Sequence, residues 1–184
     1  MAKVVLDMAV SLDGYVCGPD GEDGGLHDWY FAADAATAVA DQLLESVGAM
    51  IMGRRAFGTA PDGFDTPYRV PHFILTHQAR PAVSRGGASF LFVTEGLQVA
   101  LEQARMAAGD RDVCVAGGAD TAQQFLKAGL IDEIQLHLVP VLLGGGVSLF
   151  GHLDAGRMPL KRLRTLESLH ATHLTYQVVK VKGE

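Results

Sequence analysis

Val113-Cys114-Val115-Ala116-Gly117-Gly118-Ala119-Asp120-Thr121 is a short apolar strand, a double glycine and the opening of a helix. Glycines at such a junction let the backbone approach a ligand closely. The helix that follows offers free N–H groups and the positive end of its dipole, a combination that favours phosphate. One reading is therefore a pyrophosphate site at Gly117, Gly118 and Ala119. The other is a plain strand-to-helix turn with Asp120 or Thr121 as the helix cap. The spacing is not GxGxxG, so it is not the standard dinucleotide fingerprint.

Working outward, the pattern alternates strands with helices. Residues 4–10 are apolar and rich in β-branched side chains, as in a buried strand, and Ser11-Leu12-Asp13-Gly14 turns the chain. Residues 34–47 carry helical spacing, with Gly48 as the expected stop. Strands are expected at 49–52, 72–76 and 90–93, then a helix at 97–108, a strand at 113–116 and a helix from about 121 to 128. A long strand at 133–141 and an alternating tail at 164–181, turning near 167–171, complete the chain. Parallel strands need crossover helices, and three are present. The expected fold is α/β: three layers, a mostly parallel central sheet with helices on both faces, and a C-terminal antiparallel hairpin. With 184 residues and 48% apolar side chains, one domain spanning 1–184 is expected.

The formal net charge of -6, with no basic run, argues against nucleic acid and anionic membrane as partners. No apolar stretch is long enough for a membrane span, and the N-terminus lacks a signal-peptide core, so a cytoplasmic location is expected. The two cysteines, Cys17 and Cys114, are far apart and read as reduced thiols. None of the seven histidines pairs at metal-ligand spacing; His170 and His173 in an extended tail would point to opposite faces. No metal is expected.

Other ligand-bearing segments sit at strand ends. Gly53, Arg54 and Arg55 follow the strand at 49–52, where guanidinium groups can clamp phosphate. Thr76 and His77 end the next strand. Leu143 and Gly144 lie in Pro140-Val141-Leu142-Leu143-Gly144-Gly145-Gly146, which permits close approach to a ligand or to another chain. Trp29 and Asp34 flank the first helix; Asp34 is either an N-cap or a carboxylate in a substrate pocket. Asp13 is either a turn residue or a second carboxylate near that pocket.

Taken in order, Ser11-Leu12-Asp13-Gly14, Met52-Gly53-Arg54-Arg55, Ala116-Gly117-Gly118, Gly129-Leu130-Ile131-Asp132-Glu133-Ile134 and the 140–146 glycine segment resemble the dihydrofolate-reductase-like superfamily. The likeness is strongest to the C-terminal reductase domain of bifunctional riboflavin-biosynthesis deaminase–reductases and its stand-alone relatives. The resemblance implies NADPH as cofactor, with its pyrophosphate on Gly117, Gly118 and Ala119 and the adjoining Asp120 and Thr121. It implies Gly53, Arg54 and Arg55 against the cofactor phosphates and Thr76 near the adenosine 2′-phosphate. A homodimer is also implied. Tyr15 stands where riboflavin reductases usually carry a basic residue, and Gly53-Arg54 is closer to the dihydrofolate reductase pattern.

The expected activity is hydride transfer from NADPH to a small heterocycle, pterin/folate-like or riboflavin-precursor-like. Trp29, Leu143 and Gly144 would contact substrate, and Asp34 or Asp13 would supply or relay the proton. Two rivals remain: a 5-amino-6-(5-phosphoribosylamino)uracil reductase, and a nucleotide-binding module without catalysis.

Overall fold

The computed structural model describes residues 2–31, 35–59, 61–153 and 156–180. Its centre is a nine-stranded sheet of order β4-β5-β3-β2-β6-β1-β7-β9-β8. The strands are β1 (Val4–Ser11), β2 (Val47–Gly53), β3 (Pro71–Leu75), β4 (Val83–Arg85), β5 (Ala88–Val93), β6 (Asp112–Val115), β7 (Glu133–Val139), β8 (Leu160–Glu167) and β9 (Thr172–Val178). The run from β5 to β7 is parallel. β4 pairs antiparallel at one edge, and β9 and β8 form an antiparallel hairpin at the other. The helices are α1 (Ala35–Ser46), α2 (Arg54–Phe57), α3 (Leu97–Ala108) and α4 (Ala119–Lys127), and a 3-10 turn spans Asp28–Phe31.

Alternation along each strand assigns its side chains to two layers. Val4, Leu6 and Val10 of β1, Ala49 and Ile51 of β2, and Val113 and Val115 of β6 meet Ala100 and Ala104 of α3 and Ala122 and Phe125 of α4. Alanines facing the sheet allow the helix backbone to come close. The intervening residues, including Asp7, Ala9, Met50, Met52, His72 and His137, face the opposite layer. There Ala9 joins Leu26, Trp29 and Val139 in a second apolar cluster.

The architecture matches the expectation, with local corrections. Gly48 does not stop α1; the chain passes from helix to strand without a loop, and Gly48 lies inside β2. A Cβ there would sit 2.8 Å from Ala108 Cα, so the glycine serves the packing of α3 against β2. Residues 54–57 form a helical turn, and β4 adds an edge hairpin through Gly86 and Gly87, both at positive φ. β8 begins at Leu160, earlier than the alternation suggested, and β7 ends at Val139. No helix among the described residues is long and apolar enough to cross a membrane.

Candidate active site

The carboxyl ends of β2 and β6 are neighbours in the sheet and are tied together beyond their ladder. Gly53 N–H donates to Gly117 O at 2.8 Å, and Ala116 N–H donates to Ile51 O at 2.9 Å. α4 starts immediately after this latch. Its N-cap is Gly118, and no side chain caps it, so neither Asp120 nor Thr121 takes the capping role open to it from the sequence. Asp120 instead accepts from Gln124 Nε2 at 2.9 Å. Thr121 is buried, with Oγ1 2.5 Å from where a Gly53 Cβ would be. A Cβ on Gly118 would meet nothing within 4 Å, so the space above the first turn of α4 is open. An anion can reach the N–H groups there, at the strand-end crevice where open α/β sheets bind ligands.

Arg54 and Arg55 occupy α2, directly after β2. Arg54 folds back to donate to Gly58 O, with its guanidinium 5.7 Å from the centre of the Phe57 ring. Arg80, a residue the sequence reading passed over, approaches the same ring at 5.7 Å and Phe92 at 4.5 Å. Two guanidiniums therefore share one aromatic at the ends of β2 and β3. Thr76 follows Leu75, which is opposite Gly53 in the β2–β3 register, and its hydroxyl accepts from Gln78 N–H at 3.2 Å. No local motif marks Arg80, because its partner Phe57 is distant in sequence.

Asp13 is an acceptor that fastens two loops. Ser11 Oγ donates to it at 2.6 Å, Leu143 N–H at 3.2 Å and Gly144 N–H at 2.7 Å. The Ser11 hydroxyl, followed by these backbone donors, holds the Asp13 carboxyl below the usual range. It is thus an anion that positions Leu143 and Gly144, and a group so stabilised is a poor proton donor near neutrality. Leu143 packs with the Trp29 cluster. The close approach permitted by Gly146 is made by the chain itself: a Cβ there would fall 2.0 Å from Cys17 O.

Trp29 is buried, its ring 4.1 Å from His137 and 5.0 Å from His173. Asp34 lies outside the described residues. A different carboxylate does sit in this layer. Asp7 Oδ2 is 3.0 Å from His137 Nε2, and His137 Nδ1 is 2.7 Å from His173 Nδ1. The sequence names His173 only beside His170 and does not bring it to Asp7 and His137, although an aspartate in the middle of an otherwise apolar strand is a legible anomaly. His137 and His173 are adjacent in the β7–β9 register. His170 precedes β9, so the two-face argument for His170 and His173 does not apply. Among the described residues no group of three or more His, Cys, Asp or Glu side chains is placed to hold a metal.

Residues 2–177 match the RibD C-terminal domain model. The chain belongs to that family. It is 28% identical over 172 residues to the uncharacterised protein YyaP of Bacillus subtilis, covering 89% of this chain and 87% of YyaP. It is 30% identical over 158 residues to the riboflavin biosynthesis protein RibD of Corynebacterium ammoniagenes, covering 81% of this chain and 46% of that protein. The crystal structure of a putative riboflavin biosynthesis protein from Shewanella sp. PV-4 superimposes with a TM-score of 0.71 at 28% identity, covering 97% of this chain and 99% of that one. Dihydrofolate reductase from Enterococcus faecalis, solved with NADP(H) and RAB-propyl, shares the fold at a TM-score of 0.59 and 14% identity, covering 97% of each chain. The RibD-like reductase domain has a dihydrofolate-reductase-like fold here: a mostly parallel sheet with a C-terminal antiparallel hairpin.

Proposed function

We propose that this RibD-like domain is an NADPH-dependent reductase acting on a small flat heterocycle, riboflavin-precursor-like or pterin/folate-like. One observation carries the reading: the latch of Gly53 to Gly117, which joins the residue before Arg54 to the start of α4, where no side chain caps the helix, at the ends of adjacent parallel strands. A Cβ on Gly118 would meet nothing within 4 Å, which leaves the backbone there accessible to a diphosphate. Gly118 and Ala119 would hold it, and Arg54, Arg80 and Thr76 would receive the adenosine phosphate. When bound, NADPH supplies a hydride. The chain orients it, keeps Trp29 and Leu143 against the substrate layer, and provides a proton. The family match supports the riboflavin-pathway substrate, 5-amino-6-(5-phosphoribosylamino)uracil, as the first to try. A homodimer is part of the proposal, checked by light scattering.

The test is a titration with NADPH and with NADH, followed through Trp29 and nicotinamide fluorescence. NADPH should bind, and Arg54→Ala should weaken it by roughly 10- to 100-fold, the scale of one charge-assisted phosphate contact. Binding of neither nucleotide overturns the reading. Binding without NADPH oxidation on the ribosylaminopyrimidine or on dihydropterins favours a nucleotide-binding module instead.

A further inference from the structure

Asp7, His137, His173 and Ser168 form one continuous hydrogen-bonded chain through the sheet layer opposite α3 and α4. Its links are 3.0 Å from Asp7 Oδ2 to His137 Nε2, 2.7 Å between the Nδ1 atoms of His137 and His173, and 3.1 Å from His173 Nε2 to Ser168 Oγ. The middle is dry: the His137 side chain is 0% exposed, while Asp7 keeps 18% of its side-chain surface open. The far end reaches water. Ser168 is half-buried and lines an open cleft of about 320 Å3 together with Leu12, Pro140, Leu169 and Thr172. The β1–β6 register sets Leu6 opposite Val115, hence Asp7 level with Ala116, one residue before Gly117.

The bonds can be satisfied in two directions. In the first, Ser168 Oγ–H donates to His173 Nε2, His173 Nδ1–H to His137 Nδ1, and His137 Nε2–H to the Asp7 carboxylate. In the second, Ser168 Oγ–H turns to Ala171 O, 3.0 Å away. His173 Nε2–H then donates to Ser168, His137 Nδ1–H donates to His173, and a further proton lies between His137 Nε2 and Asp7. Every group is bonded in both, and the second holds one proton more, at the Asp7 end. The other titratable groups facing Asp7 do not compete for that proton. Burial first, and the Asp7 charge second, push the Tyr68 phenol and the Cys114 thiol up; burial does the same for Tyr30, whose hydroxyl also feels Asp41. They stay protonated near neutrality.

We propose that Asp7 is the acid of the reduction, and that His137 and His173 are positioning residues that reload it from the Ser168 end. This rests on the reductase reading. As the hydride forms a C–H bond at the carbon of a substrate C=N, the π pair passes to nitrogen and the nicotinamide is oxidised. The nitrogen takes the proton of Asp7, whose O–H bond breaks. Reloading runs from the first arrangement: His137 Nε2–H passes its proton to the Asp7 carboxylate, His173 Nδ1–H passes its proton to His137 Nδ1, Ser168 Oγ–H passes its proton to His173 Nε2, and water at the cleft returns a proton to Ser168, which leaves the chain in the second arrangement.

The test is a 15N-imidazole NMR titration of the full chain and of Asp7→Asn, with NADPH affinity measured on the same samples. In the wild type, His137 and His173 should titrate with one common midpoint. Asp7→Asn should change the pH response of both rings together, as expected of groups in one hydrogen-bonded chain. If Asp7→Asn does not fold, His173→Gln is the second variant, and it should change the pH response of the His137 ring. Rings with unrelated midpoints, or with one fixed tautomer from about pH 5 to about pH 9, overturn the relay while leaving NADPH binding intact. Coupled rings without NADPH binding overturn the reductase reading and, with it, the role of Asp7 as its acid.

Discussion

Asp13 Oδ2 accepts the N–H of Gly144 at 2.7 Å, joining the turn after the first strand to a glycine segment 131 positions away. The same carboxylate takes the Ser11 hydroxyl at 2.6 Å. These bonds are stronger to the ionised form, and they lower its folded pKa. A depressed carboxylate contributes stability above its unfolded value of about 3.9, and that contribution disappears as the pH falls through the lower folded value. The melting temperature of the wild type should therefore exceed that of Asp13→Asn by a constant margin above about pH 5. The margin should shrink as the pH falls below about 4. Thermal melts across this range check it, and a margin independent of pH would show that Asp13 acts through shape alone.

The latch between β2 and α4 has no room for a side chain. A Cβ on Gly53 would be 2.5 Å from Thr121 Oγ1. Gly53→Ala should cost about 1–3 kcal/mol by overpacking and should weaken NADPH binding, because it pushes the first turn of α4 away from β2. Thr121→Ala in the same chain removes the clashing atom and should recover most of the loss, a coupling expected only between residues in contact. Denaturant titrations and nucleotide affinities of the two single variants and the double variant make the comparison.

Gly48 carries a heavier constraint, because its neighbours are backbone. A Cβ there would lie 2.8 Å from both Cα and O of Ala108. Gly48→Ala should cost about 1–3 kcal/mol or more, read as roughly 2–4 °C of melting temperature per kcal/mol for a chain of this size. Nucleotide affinity of the folded fraction should be unchanged.

The two cysteines should behave differently toward a thiol reagent. Cys114 is buried and burial pushes its thiol well up, whereas Cys17 is half-buried. Native protein at mildly alkaline pH should release one equivalent of chromophore quickly, and denaturation should release the second. Two equivalents from the native state would mean that β6 opens readily.

Local order was legible in the sequence. Apolar runs, helical spacing and glycine breaks placed β1, α3, β6, α4 and β7 within a few residues, since strand and helix periods are properties of neighbouring positions. The strand–glycine–helix junction at Gly117 and Gly118 was visible for the same reason: strand, glycines and helix start are contiguous. The edge strand β4 was not visible, because three residues flanking a glycine pair carry too little period. Other relationships depend on which strands the fold makes neighbours. Asp7 meets His137 because β1 pairs with β7, and His137 meets His173 because β9 returns antiparallel beside it. Arg54 and Arg80 share Phe57 only after β2 and β3 are aligned. Thr121 could equally have capped its helix; the closeness of Gly53 turned it into the core. Periodicity in the sequence determined the elements and their order, while strand register, which no local pattern encodes, decided which polar groups share the buried layer.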